Sequence, residues 1–170
     1  MPVRTARELF LVQLSDIRHN VELGVSTHKE IKEQTSDPEI NEILQSRVLA
    51  SREALGKLDE CFRIIREKPL QSSGQFQEAF VKNFRRCLPE IQSSTAQNLF
   101  ILTTLHHFAH FRIGEYSALI AEADLGGYHG VDLILETCLA DELAFAERTR
   151  ALTRRVVKMK LAERVASASS

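Results

Sequence analysis

Apolar residues recur at three- and four-residue spacing along almost the whole chain, the pattern of successive amphipathic helices. The first stripe reads Phe10, Leu14, Ile17, Val21, Val25, His28 and Ile31. Thr5-x-x-Glu8 precedes it as a capping box, so the spacing predicts a helix from Thr5 to about Gln34. Ser36-Asp37-Pro38-Glu39 then combines a capping side chain, a first-turn proline and an acid beside the positive end of the dipole. The helix it starts carries Leu44, Val48, Ser51, Leu55, Leu58, Phe62 and Ile65 and stops before Pro69. After a loop from Leu70 to Gly74, a shorter helix over 75–88 places Phe76, Phe80, Phe84 and Leu88 on one face, a packing stripe rather than a ligand box, with Pro89 at its end.

Ser94-x-x-Gln97 reads as another capping box and opens the most apolar segment. One face there holds Leu99, Leu102, His106, His110, Ile113, Ser117 and Ile120, with Leu105, Phe108, Tyr116 and Leu119 beside it. A helix apolar around so much of its circumference belongs at the centre of a bundle. Gly126-Gly127 supplies the residues that tolerate a left-handed stop. The last helix runs from Tyr128 or His129 into the 160s. Four helices of roughly 30 residues, about 45 Å each, predict an all-α antiparallel four-helix bundle with one additional short helix. The expected division is a single domain over 1–165 and a frayed tail at 166–170.

Composition narrows the classes further. A length of 170 residues suits one domain. Twenty-two Lys and Arg against 23 Asp and Glu give a net charge of −1, which argues against a nucleic-acid-coating protein. With 7 Gly, 4 Pro and 3 Cys the chain is neither collagen-like nor a disulfide scaffold. Cys61, Cys87 and Cys138 are widely spaced with no CxxC, which reads as free core thiols in a reducing compartment. No segment reaches the roughly 18 apolar residues needed to span a bilayer, and Glu8, Asp16 and Glu22 interrupt any leader-like run. The expectation is a cytoplasmic protein with no membrane partner. Neither a Gly-rich phosphate loop nor a Ser/His/Asp order stands out.

Specific residues carry a family likeness. Leu9-Phe10 with Leu14-Ser15-Asp16-Ile17, the run His110-Phe-x-Ile113-x-x-Tyr116-x-x-Leu119, Gly127-Tyr128, and Leu139-Ala-Asp141-Glu142 together resemble the YciE/YciF family of ferritin-like bacterial stress proteins. The resemblance implies a ferritin-like bundle whose inner face can hold two metal ions on Glu and His side chains. It also implies that most of that set is replaced in this chain. The helix-one Glu position falls on Val21, the helix-two His and Glu positions on Arg47 and Ala50, and two helix-four carboxylate positions on Ala109 and Arg112. Only His110, Asp141 and Glu142 remain in register. Arg47 and Arg112, pointing inward, would bring permanent positive charge where cations would sit. Among nearby substitutes, His19, Glu22 and Glu53, only Glu53 lies one turn from a lost position.

Two constellations could still act. His106 and His110 stand i, i+4, the spacing two imidazoles use to grip one metal from a helix. Asp141 lies on the stripe Ile134, Cys138, Asp141, Phe145. A remnant metal site would therefore use His106, His110, Asp141 and Glu142. The competing reading is a buried polar cluster in which Asp141 takes a histidine hydrogen bond or pairs with Arg47 or Arg112. The C-terminal helix adds Arg150, Arg154, Arg155 and Lys158, a candidate anion-binding surface or a solvated helix end. The expected function is a non-enzymatic structural protein with a degenerate di-metal site, stress-associated by the resemblance, acting through association with itself as a homodimer or with another protein, and needing no cofactor. The alternative is a ferritin-like metal-binding protein or oxidase, using iron or manganese with an altered ligand set.

Overall fold

A computed structural model of the chain describes residues 3–72 and 74–168. It has helices α1 (Ala6–Glu33), α2 (Pro38–Ile65), α3 (Gln75–Cys87), a 3-10 turn (Leu88–Glu90), α4 (Ser94–Gly126) and α5 (Val131–Ala168), and no strand among the described residues. The caps explain most of these limits. Thr5 and Glu8 form both arms of the capping box on α1. The Asp37 carboxylate accepts from the backbone N–H groups of Glu39 and Ile40 ahead of Pro38. α4 is capped by Ser93, one residue earlier than the sequence spacing suggests, and Gln97 instead donates to the Ile91 carbonyl at 2.6 Å. Gly127 ends α4 at φ +66°. α5 starts after Gly130, and Tyr128 in the turn before it stacks on Phe10 with ring centroids 5.1 Å apart. α5 continues through Ala168, into the stretch 166–170 expected to fray, of which 169 and 170 lie outside the described residues.

Side-chain pairs fix the directions of the long helices. Arg18 meets Asp59, and Lys32 meets Gln45, so α1 and α2 are antiparallel. Asn20 meets Glu115, and Thr35 meets Asn98, so α1 and α4 are antiparallel. Arg148 meets Ser46, and Lys57 meets Asp141, so α2 and α5 are antiparallel. Every packed pair of long helices is thus antiparallel, as the sequence implies. In chain order, however, the helices run up, down, down, up, because the crossover from α2 to α4 traverses the length of the bundle. This single long crossover is the ferritin-like connection.

The crossover carries α3 into the groove between α1 and α4. Arg85 reaches Glu30 of α1 at 2.6 Å, while Phe76 stacks on Phe111 and Phe84 on Phe100 of α4. Its buried face is Gln77, Val81 and Phe84, continued by Leu88; it shares Phe84 and Leu88 with the stripe read from sequence and replaces Phe76 and Phe80 by the residues that follow them. Phe76 is 63% exposed and Phe80 only partly buried. The turn into α3 needs Gly74, whose φ is +58° and where a Cβ would stand 2.7 Å from the His19 ring.

The interior has three levels. One apolar cluster includes Ile31, Ile40, Leu44, Leu102, Leu105 and Phe145. Another, at the opposite end, includes Phe10, Leu14, Leu58, Tyr116, Leu119 and Leu135. Between them, at mid-height, the buried positions are His28, Arg47, Gln77, Arg112 and Glu142. Each of the five helices contributes to this polar layer, which Asn20 of α1 and Glu115 of α4 extend.

Candidate functional site at the bundle centre

Helical phase places the layer. In α1 the buried stripe passes from Val21 through Gly24 to His28 and Ile31; in α2 it passes from Leu44 through Arg47 to Ser51. In α4 it passes from Ala109 through Arg112 to Tyr116, and in α5 from Cys138 through Glu142 to Phe145. Arg47 and Glu142 form an ion pair between α2 and α5, with side chains 7% and 4% exposed. The Arg47 guanidinium also lies over the Phe145 ring, 4.6 Å from its centroid. Arg112 donates to Glu115 at 2.9 Å and to the side-chain amide oxygen of Gln77 at 2.7 Å. Gln77 in turn donates to the Asn20 backbone carbonyl at 2.9 Å, and the Asn20 amide donates to Glu115 at 3.0 Å. Two guanidinium groups therefore face two carboxylates, and the formal charge of the layer closes to zero.

His28 sits within this arrangement. Its ring meets Phe108 and Phe145 edge-on, at 6.2 and 6.4 Å, and both ring nitrogens are buried without a hydrogen-bond partner. Burial, then the charges of Arg47 and Arg112, hold its pKa well below the usual imidazole range. Burial also raises the Glu115 carboxyl above its ordinary value, against the opposing pull of Arg112 and Asn20. The Nε of Arg47 and the Oε2 of Glu142 are likewise buried without partners. Lower down, burial pushes the Cys61 thiol up to about 12 and also raises that of Cys138, so neither is a ready nucleophile.

The remnant metal site read from sequence is not assembled. Asp141 is exposed and pairs with Lys57 at 3.0 Å, because adjacent helical residues point about 100° apart and Glu142 takes the inward position. His110 is exposed, and the flanking Ala109 and Arg112 are the buried residues of that turn. His106 is half-buried at the α4–α5 seam. Of the four candidates only Glu142 reaches the centre, and the position opposite it holds Arg47. Glu53 and Glu22 are exposed, and Glu22 faces Arg18 at 3.6 Å.

A dinuclear centre does not fit the donors present. Two permanent cations occupy the layer, and its two carboxylates already accept hydrogen bonds from them. Among the described residues, no group of three or more His, Cys, Asp or Glu is placed to hold a metal ion. The competing reading, a buried polar cluster, describes the geometry with one correction: its carboxylates are Glu142 and Glu115 rather than Asp141. Sequence reasoning missed Glu115, Gln77 and Asn20. Arg112-x-x-Glu115 was the available signal, since i, i+3 charges of opposite sign are neighbours on a helix.

On the basic end of α5, Arg150 pairs with Glu147 and Arg155 with Glu39, while Arg154 and Lys158 are exposed. No helix among the described residues is long and apolar enough to cross a membrane.

Solved structures share this architecture. The E. coli stress protein YciF superposes with a TM-score of 0.87 at 15% identity, covering 92% of this chain and 99% of that one. YcfI from Rhodopseudomonas palustris gives 0.84 at 22% identity, covering 87% and 94%. A protein from Xanthomonas campestris pv. campestris gives 0.71 at 17% identity, covering 94% and 97%. At these identities the likeness shows the fold, an all-α ferritin-like bundle. No curated protein matches the sequence. The family described as a domain of unknown function, DUF892, matches residues 5–162, and the chain belongs to that family.

Proposed function

We propose that this protein is a non-enzymatic, structural member of its family, acting in the cytoplasm through association, first with a second copy of itself. The observation that carries the reading is the buried Arg47–Glu142 pair. It fills the bundle centre with a fixed, self-neutralising ion pair, and Arg112–Glu115 does the same beside it. Such a layer binds nothing further without breaking a desolvated pair, which is costly. Its work is to set the register of the helices. The association with stress rests on the fold shared with the E. coli stress protein, and a provisional structural role has been assigned to YcfI. No cofactor is needed for this role.

Elemental analysis for iron and manganese tests the reading, on protein purified without chelator. Well under one equivalent of either is expected, and ferrous ion added in air should be oxidised no faster than in buffer. Stoichiometric iron or manganese that disappears on Glu142→Ala would overturn the proposal. Light scattering should give twice the chain mass of 19.2 kDa. A monomer at all concentrations would remove the self-association half of it.

A further inference from the structure

Away from the layer, α4 carries three histidines whose positions differ in kind. His107 is exposed and turns toward α3, edge-on to Phe80 at 6.0 Å. His106 and His110 lie one turn apart, their ring centroids 4.4 Å from each other in an edge-to-face arrangement. His106 rests against the backbone of Ala146 in α5, and its Nδ1 is buried without a hydrogen-bond partner. Burial, followed by the nearby charge of His110, lowers its pKa. His110 is exposed, so both of its side-chain torsions can turn its ring to a shared ligand. Arg150, whose charge also acts on His106, pairs with Glu147 at 2.8 Å.

The chemistry of this pair is specific. Two imidazoles one turn apart on a rigid helix offer nitrogen donors to a borderline cation, whereas magnesium and calcium demand oxygen. We propose that His106 and His110 form a surface chelate for a borderline divalent cation, zinc, nickel or copper(II), with water completing the coordination. It is independent of the bundle centre and compatible with a filled interior, since neither histidine belongs to the polar layer.

Calorimetric titration with zinc chloride or nickel chloride alone, in a non-coordinating buffer, tests this. One equivalent should bind, with affinity weakened by about tenfold or more in His110→Ala, the scale on which one lost metal contact registers. His107→Ala should bind as the unaltered protein does. Binding should weaken at about pH 5.5, a unit below the ordinary imidazole pKa. The absence of saturable binding, equal affinity in His110→Ala, or loss in His107→Ala would each overturn the proposal. Circular dichroism of His110→Ala checks that the exposed substitution leaves the helices intact.

Discussion

Arg47 and Glu142 stand 95 residues apart in the chain and meet side chain to side chain in the interior, on helices α2 and α5. Each is the other's reason for tolerating burial. A lone charge there would face a desolvation cost of several kcal/mol, and the mutual attraction offsets it only while both are present.

Removing one partner should therefore be far worse than removing both. Glu142→Leu is expected to cost about 3–5 kcal/mol, because it strands the Arg47 guanidinium in an apolar interior. Arg47→Met combined with Glu142→Leu should recover most of that loss. Urea denaturation of the two single variants and the double variant measures the coupling. Additive single effects would show that the pair does not act as a unit.

Acid should loosen the fold through His28. Its pKa in the folded chain is depressed, so on acidification the unfolded chain binds the proton first, beginning near pH 6.5. The contribution is complete above that pH and declines below it, by at most about 1.4 kcal/mol per pH unit for one proton. Glu115, raised above 4.5, takes its proton first in the folded chain and offsets part of the decline between its raised value and 4.5. His28→Leu should flatten the dependence of stability on pH below 6.5, and Glu115→Gln should steepen it above pH 4.5. Denaturation midpoints across that range provide the comparison.

The three thiols should separate cleanly by reactivity. Cys61 and Cys138 are buried, with Cys61 pushed up to about 12, whereas Cys87 is half-exposed on α3. A colourimetric thiol reagent should label one site per native chain and three in denaturant. Rapid labelling of all three without denaturant would mean that the lower apolar cluster opens readily.

Along α3, the two ends of the phenylalanine row should respond unequally. Phe84→Ala removes a side chain that is 3% exposed and should cost about 3–5 kcal/mol. Phe76→Ala gives up mainly the stack on Phe111, worth about 0.5–1.5 kcal/mol. Thermal melts of the two variants rank them.

These contrasts show what the sequence could reveal. Helices α1 and α2 were legible with their stripes intact, because Phe10, Leu14, Ile17 and Val21, or Leu44, Val48 and Leu58, leave only one buried face. The α3 stripe holds at Phe84 and Leu88 and departs in its first half, where Gln77 is buried for its hydrogen bonds and an apolar count cannot see that. The same difficulty affected the centre. On α4 the histidines 106 and 110 were grouped with an apolar face, while Arg112 is the residue that points in. On α5 Asp141 and Glu142 compete for one inward position, and only the partner on α2 decides between them. That partner, Arg47, comes from a distant helix, so no local spacing announces it. Fold class is written in periodicity; the polar layer is written in pairs that only three dimensions bring together.

The split of the layer between two helical hairpins carries a further consequence. Arg47 belongs to the α1–α2 hairpin, and Glu142 to the α4–α5 hairpin. Neither half can desolvate its own midpoint without the other, so separately expressed halves should be molten and should dock into order only when mixed. Sliding one half by a single turn would leave guanidinium against hydrocarbon, so the Arg47–Glu142 pair serves as a latch between halves.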